Sequence, residues 1–136
     1  MYDDFDVYEE VTRSIRVSVQ PVYLDDQSDP DDDRYVWAYI VNVQNEGHER
    51  VQLMRRQWKI VDENGVTKMV KGTGVVGEQP MIDPGDCYEY TSGTPLSTPS
   101  GIMAGTYEME TETGDVFEVK VPAFSLDSPS DSRVLN

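Results

Sequence analysis

One cysteine and one histidine among 136 residues remove whole classes of chemistry. Cys87 alone can form no intrachain disulfide and no multi-cysteine metal centre. It follows Asp86 and precedes Tyr88 and Tyr90, with no basic neighbour in sequence to lower a thiol pKa, so it reads as a small strand residue. His48 lies in a turn between Gly47 and Glu49 and reads as a surface residue. Bases are scarce as well: 11 Lys and Arg face 26 Asp and Glu, a formal net charge of −15. The imbalance is uneven, −9 over residues 1–33, zero over 34–86 and −6 over 87–136. A surface of that sign repels nucleic acid and anionic membranes. No apolar run approaches the roughly 20 residues that span a bilayer. The start, Met1 to Asp6, is acidic where a secretory signal is basic and then apolar. A cytoplasmic location is expected, without nucleic-acid binding or membrane insertion.

What is present is a strand pattern. Ile15, Val17 and Val19 alternate with Arg16 and Ser18, a half-buried strand that is expected to end near Pro21. Residues 25–33 form an acidic, turn-rich loop. Residues 35–44 give the strongest strand, with Tyr35, Trp37, Tyr39, Val41 and Val43 on one side and Val36, Ala38 and Ile40 on the other. The next strand, 51–62, slips in parity, because Val51 and Leu53 are odd while Met54, Trp58 and Ile60 are even; a β-bulge produces such a shift. Asn64-Gly65 is a hairpin turn leading to a partner strand over 66–71. Short strands follow at 87–91, 107–112 and 117–121, the last expected to end at Pro122. Residues 91–105, with Gly93, Pro95, Pro99, Gly101 and Gly105, read as an ordered loop.

About seven strands, turns at intervals of about 8–12 residues and no helical stretch indicate an all-β fold, an antiparallel β-sandwich of immunoglobulin-like type. A closed barrel shares this periodicity. The expected organisation is an acidic, flexible start over 1–10, one domain over 11–126 and a polar tail over 127–136.

Gly72, Gly74 and Gly77 spell G-x-G-x-x-G. In a dinucleotide fold that motif opens a helix and precedes an acidic ribose ligand by about 20 residues. Here Pro80 lies three residues past Gly77, and no Asp or Glu occurs between Glu89 and Glu108. As a P-loop it puts Glu78 where the phosphate-neutralising lysine belongs. Turn glycines are the main reading; an anion nest of backbone amides over Gly72, Thr73, Gly74 and Gly77 is the alternative. A two-residue Asn64-Gly65 loop would place Lys59 and Lys68 on one sheet face with Arg55 or Arg56 beyond them. That basic stripe is either a solvated face or a docking surface for an acidic partner or a small anion. Asp29, Asp31 and Asp33 have the D-x-D-x-D spacing of a calcium loop, but Arg34 and Ile40 occupy the glycine and glutamate positions. They stand as a loose divalent-cation candidate beside the reading as a solvated turn. Glu108 and Glu110 fall on an exposed strand face with no cleft evident to shift a pKa.

Five segments together form a recognisable pattern: Ser28-Asp29-Pro30, Arg34-Tyr35-Val36-Trp37-Ala38-Tyr39, Asn45-Glu46-Gly47, Gly72-x-Gly74-Val75-Val76-Gly77-Glu78-Gln79-Pro80, and Tyr90 to Gly101 with its Thr-Ser-Gly-Thr-Pro. Over residues 11–126 the chain resembles the bacterial ApaG (CorD) proteins. The resemblance implies a fibronectin type III-like sandwich, a genetic link to cobalt tolerance and magnesium efflux, and no established enzymatic activity. Similar domains in eukaryotic F-box proteins and a polymerase-delta-interacting protein imply protein binding. The family supplies no catalytic residues to carry over. The expectation is a non-enzymatic interaction module without a cofactor, its partner an unidentified protein or a second copy of itself. A sensor of small anions, nucleotides or pyrophosphate at residues 72–77 is the alternative.

Overall fold

The computed structural model describes residues 7–129, which form nine strands and no α-helix. The strands are β1 (Tyr8–Thr12), β2 (Ile15–Tyr23), β3 (Tyr35–Asn45), β4 (Val51–Asp62), β5 (Thr67–Thr73), β6 (Met81–Ile82), β7 (Cys87–Leu96), β8 (Ser100–Thr111) and β9 (Val116–Asp127). They build two antiparallel sheets, β1-β2-β3-β7 and β5-β4-β8-β9, with β6 added to the start of β4. The expected all-β sandwich is what forms. Among the described residues no helix is long and apolar enough to cross a membrane.

The core follows from alternation. Ile15, Val17 and Val19 of β2 and Trp37, Tyr39, Val41 and Val43 of β3 face Leu53, Trp58 and Ile60 of β4, Tyr107 and Met109 of β8, and Val119, Phe124 and Leu126 of β9. Trp58 is central: its ring meets those of Tyr39, Tyr107 and Phe124 edge-on, at centroid separations of 5.4, 6.2 and 6.2 Å. Such pairs each contribute about 1 kcal/mol beyond the area they bury. Buried Asn45 organises the turn after β3, its Nδ2 donating to the Glu49 and Ile82 carbonyls while its Oδ1 accepts from the Gly47 amide.

Four expectations about strand limits change. The acidic start was expected to fray, yet Tyr8–Thr12 pairs with β2; Arg16 on β2 binds Glu9 of β1 and Glu46, which steadies this acidic edge. Residues 1–6 lie outside the described residues, as do 130–136. Strand β2 continues through Pro21 to Tyr23; among the described residues β1 pairs no further along it than Val19, so no described strand on that side needs the missing amide. Pro122 does not end β9. It sits where the β8–β9 register shifts between Met103 and Gly105, and the strand runs on to Asp127. Residues 91–105 are mostly strand, broken only at 97–99. Their glycines are packing residues: a Cβ on Gly105 would lie 2.6 Å from the Trp58 ring, and one on Gly101 2.7 Å from the Val61 carbonyl. Pro95 is tolerated because β7 pairs only with β3 and is an edge.

The sandwich is asymmetric. Strand β9 packs on β1 and β2, joining the sheets along one side. On the other side lie the edges β5 and β7, and residues 74–80 bridge that opening.

Candidate functional site

The β4 bulge sets the geometry of this opening. Register against β8 shifts between Leu53 and Arg55, so Met54 is the extra residue. Before the bulge β4 pairs with β6, and after it with β5. The Met54 carbonyl, freed at the switch, accepts from the Gly74 amide at 2.9 Å and from Gln79 Nε2 at 3.0 Å. The Leu53 amide reaches the Pro80 carbonyl at 3.0 Å.

Between these anchors the chain makes a miniature hairpin. Val75 and Glu78 exchange backbone hydrogen bonds of 2.8 and 2.9 Å. Val76 and Gly77 form its tip with φ of 43° and 82°, the left-handed pair of a type I′ turn. Gly77 adopts this freely, whereas β-branched Val76 is strained there. Gly74, at φ 64°, leaves no room for a side chain: a Cβ would lie 2.0 Å from the Glu78 carbonyl oxygen. Val75 is fully buried and enters the core, while Glu78 turns outward to accept a 2.7 Å hydrogen bond from the Tyr88 hydroxyl of β7. The G-x-G-x-x-G is therefore a plug over the open side. Its amides at Gly74, Val75 and Glu78 donate to protein carbonyls, which leaves the nest little beyond the tip.

Beside the plug lies Arg56. In the even parity that follows the bulge it shares the inner face with Trp58, opposite Gly72 on β5 and Tyr107 on β8. Its guanidinium lies on Gly72, where a Cβ would come within 2.7 Å of Cζ and Nη1. Nη1 donates to the Thr73 and Gly74 carbonyls at 3.3 and 2.8 Å. Arg56 also lines a cavity of about 140 Å³ with Tyr39, Trp58, Tyr90, Ser92 and the hairpin tip. Burial raises the Tyr39 phenol pKa, against a hydrogen bond from Ser92 and the charge of Arg56, which both lower it. Tyr90 and Tyr107 join hydroxyl to hydroxyl, and burial pushes both pKa values up. The sequence signal for Arg56 was present in the parity slip: Met54, Trp58 and Ile60 put every even position on the inner side.

The basic stripe is divided by register. Asp62 pairs with Val66 across a three-residue loop, with Gly65 at φ 82°, not across a two-residue one. Lys59 consequently faces Met69, and Lys68 faces Ile60 on the opposite side of the sheet. Arg55 is on the outer face with Lys59 but is drawn to Glu108 at 3.3 Å. Lys71, opposite Gln57, and Lys120, opposite Thr106, share the outer face, and so does Glu118, opposite Glu108. Asp29, Asp31 and Asp33 are exposed, and among the described residues no three acidic, histidine or cysteine side chains converge to hold a metal. His48 and Cys87 are exposed, and Glu110 is half-buried opposite Gln52.

Comparison with known proteins places this arrangement. The ApaG domain family model matches residues 25–111. The chain belongs to the ApaG family. It is 60% identical over 130 residues to Protein ApaG of Paramagnetospirillum magneticum, covering 96% of this chain and all of that one. It is equally similar to Protein ApaG of Agrobacterium fabrum, 60% over 130 residues with the same coverage. A crystal structure described as an ApaA protein from Bordetella pertussis superposes with a TM-score of 0.83 at 46% identity, covering 85% of this chain and 94% of that one. The ApaG match contains the bulge, Arg56 and the whole plug.

Proposed function

We propose that this ApaG domain is a non-enzymatic, cytoplasmic interaction module whose partner is a protein with an acidic surface. The observation that carries the reading is the outer face of the β5-β4-β8-β9 sheet. There Lys59, Lys71 and Lys120 stand beside Met69 and Ile102, whose side chains are 49% and 54% exposed. A basic, partly apolar face on a chain of net charge −15 is a local inversion of sign, which favours one orientation of approach by an acidic partner. The family link to cobalt tolerance and magnesium efflux would then run through contact with a component of ion transport.

The test is affinity capture from the native bacterium with wild type and a Lys59→Glu/Lys71→Glu variant, both checked for an unchanged sheet signature by circular dichroism. Loss of specific partners in the variant is expected. Recovery of every partner by the variant would remove this face from the proposal. A gene deletion complemented by each form, scored for growth in cobalt, ties the surface to ion traffic.

A further inference from the structure

Among the described residues Arg56 stands apart from the other arginines. Arg13, Arg16, Arg50 and Arg55 each pair with a carboxylate at the surface. Arg34 is exposed to water. Arg56 is half-buried on the inner face, and no carboxylate pairs with it among the described residues. Its only hydrogen-bond partners there are the neutral Thr73 and Gly74 carbonyls, both taken by Nη1, so Nε and Nη2 have no protein acceptor. A guanidinium keeps its charge throughout the physiological range. Partly shielded from water and without a counter-charge, it is open to pairing with an anion, and this chain has acids in excess from which a partner could have come.

The surroundings suit an anion supplied from outside. The adjoining cavity offers the Tyr39 and Ser92 hydroxyls, and at its rim the amides of Val76 and Gly77 donate to no backbone carbonyl among the described residues. Its aromatic walls, Trp58 and Tyr90, lower the local dielectric and strengthen any ion pair formed there. We propose that this cavity is a binding site for one small oxyanion, a carboxylate or phosphate group, gripped by Arg56 and completed by Tyr39, Ser92 and the tip amides. At about 140 Å³ it admits such a head group alone, well short of the roughly 300–1,000 Å³ of pockets that enclose larger ligands. A base and ribose would remain outside. The site differs from a glycine-rich phosphate cradle, because side chains carry the charge and the loop's inner amides are already engaged. It is also independent of the outer-face reading above.

The experiment is a ¹⁵N–¹H NMR titration of the whole chain with inorganic phosphate and, separately, with acetate, at constant ionic strength made up with chloride. Saturable shifts centred on Val76, Gly77 and Ser92 are expected for at least one anion, and whichever saturates identifies the head group. Arg56→Met should weaken binding about tenfold or more, as loss of a charge-assisted contact does. Because Arg56 also pins the 73–74 carbonyls, Tyr39→Phe is the second variant; it keeps those bonds and should weaken binding several-fold. If Arg56→Met loses its folded spectrum, Tyr39→Phe alone decides. Shifts that never saturate, or saturation that the folded variants leave unchanged, would overturn the proposal.

Discussion

Two irregular connections, one acidic and one glycine-rich, behave oppositely. Residues 25–33 and 74–80 both contain turn formers and lie between strands. The first is closed on itself: its 3₁₀ turns, Asp25–Gln27 and Pro30–Asp32, bury no residue, and Asp29 exchanges backbone hydrogen bonds with Arg34 at 2.7 and 3.0 Å. The second is tied to remote strands through Met54, Leu53 and Tyr88, and it drives Val75 into the core. The first can be altered with little consequence for the sandwich, whereas the second belongs to the sandwich. Chemistry built near the second connection therefore has a rigid frame, and the acidic loop does not.

The comparison breaks most readily at Gly74. Gly74→Val combines a left-handed φ with a 2.0 Å clash against backbone and should cost at least about 3 kcal/mol in urea unfolding. Retention of wild-type stability would mean that the plug is not held as described. Val75→Ala should cost about 2 kcal/mol through the void it leaves. A loss below about half a kcal/mol would show that the opening is sealed without it.

Tyr88→Phe removes the tie to Glu78 and should cost about 1 kcal/mol at neutral pH. The pH dependence sharpens this. Hydrogen bonding to Glu78, helped by burial, pushes the Tyr88 phenol up to about 12. The unfolded phenol ionises first, near pH 10. Stability is thus fully present below about pH 10 and is lost as pH rises toward about 12. Tyr90 and Tyr107, raised by burial, act with the same sign. Unfolding midpoints across this window should fall less steeply in Tyr88→Phe; an unchanged slope would assign the whole effect to the buried pair. The smallest effect belongs to the acidic loop. Converting Asp29, Asp31 and Asp33 together to Asn should shift stability by no more than about 0.5 kcal/mol, and a larger loss would reveal order in that loop that its local bonds do not provide.

Much of this was legible in alternation. The parity of residues 35–44 and the slip within 51–62 led directly to the two-sheet core and the bulge, because one face of each sheet is buried and period two leaves little freedom. The ends of strands were not legible. Pro21 and Pro122 read as terminators and Pro95 as a loop residue, and each is tolerated because it occupies an edge or a bulge where no ladder bond is lost, a condition fixed by neighbours distant in sequence. Gly101 and Gly105 read as loop residues because nothing local shows that a carbonyl and an indole press against them. The site was half legible. The glycine motif was recognised as structural on its missing helix and lysine. Lys59 and Lys68 fall on opposite faces, against the expectation, because Glu63-Asn64-Gly65 closes a loop one residue longer than Asn64-Gly65 suggests.

The extra residue at Met54 has a consequence for chain length. Leu53 and Trp58, five positions apart, share the inner face because Met54 takes no place in the pairing with β8. A deletion of that one residue would restore plain alternation and leave every pairing with β8 as it is, Trp58, Ile60 and Arg56 inward and Lys59 outward. The core would keep its register, but the carbonyl that receives the Gly74 amide and Gln79 Nε2 would be gone, and with it the anchor of the plug. Position 54 can accept a different side chain more readily than a deletion: what it supplies is a backbone carbonyl.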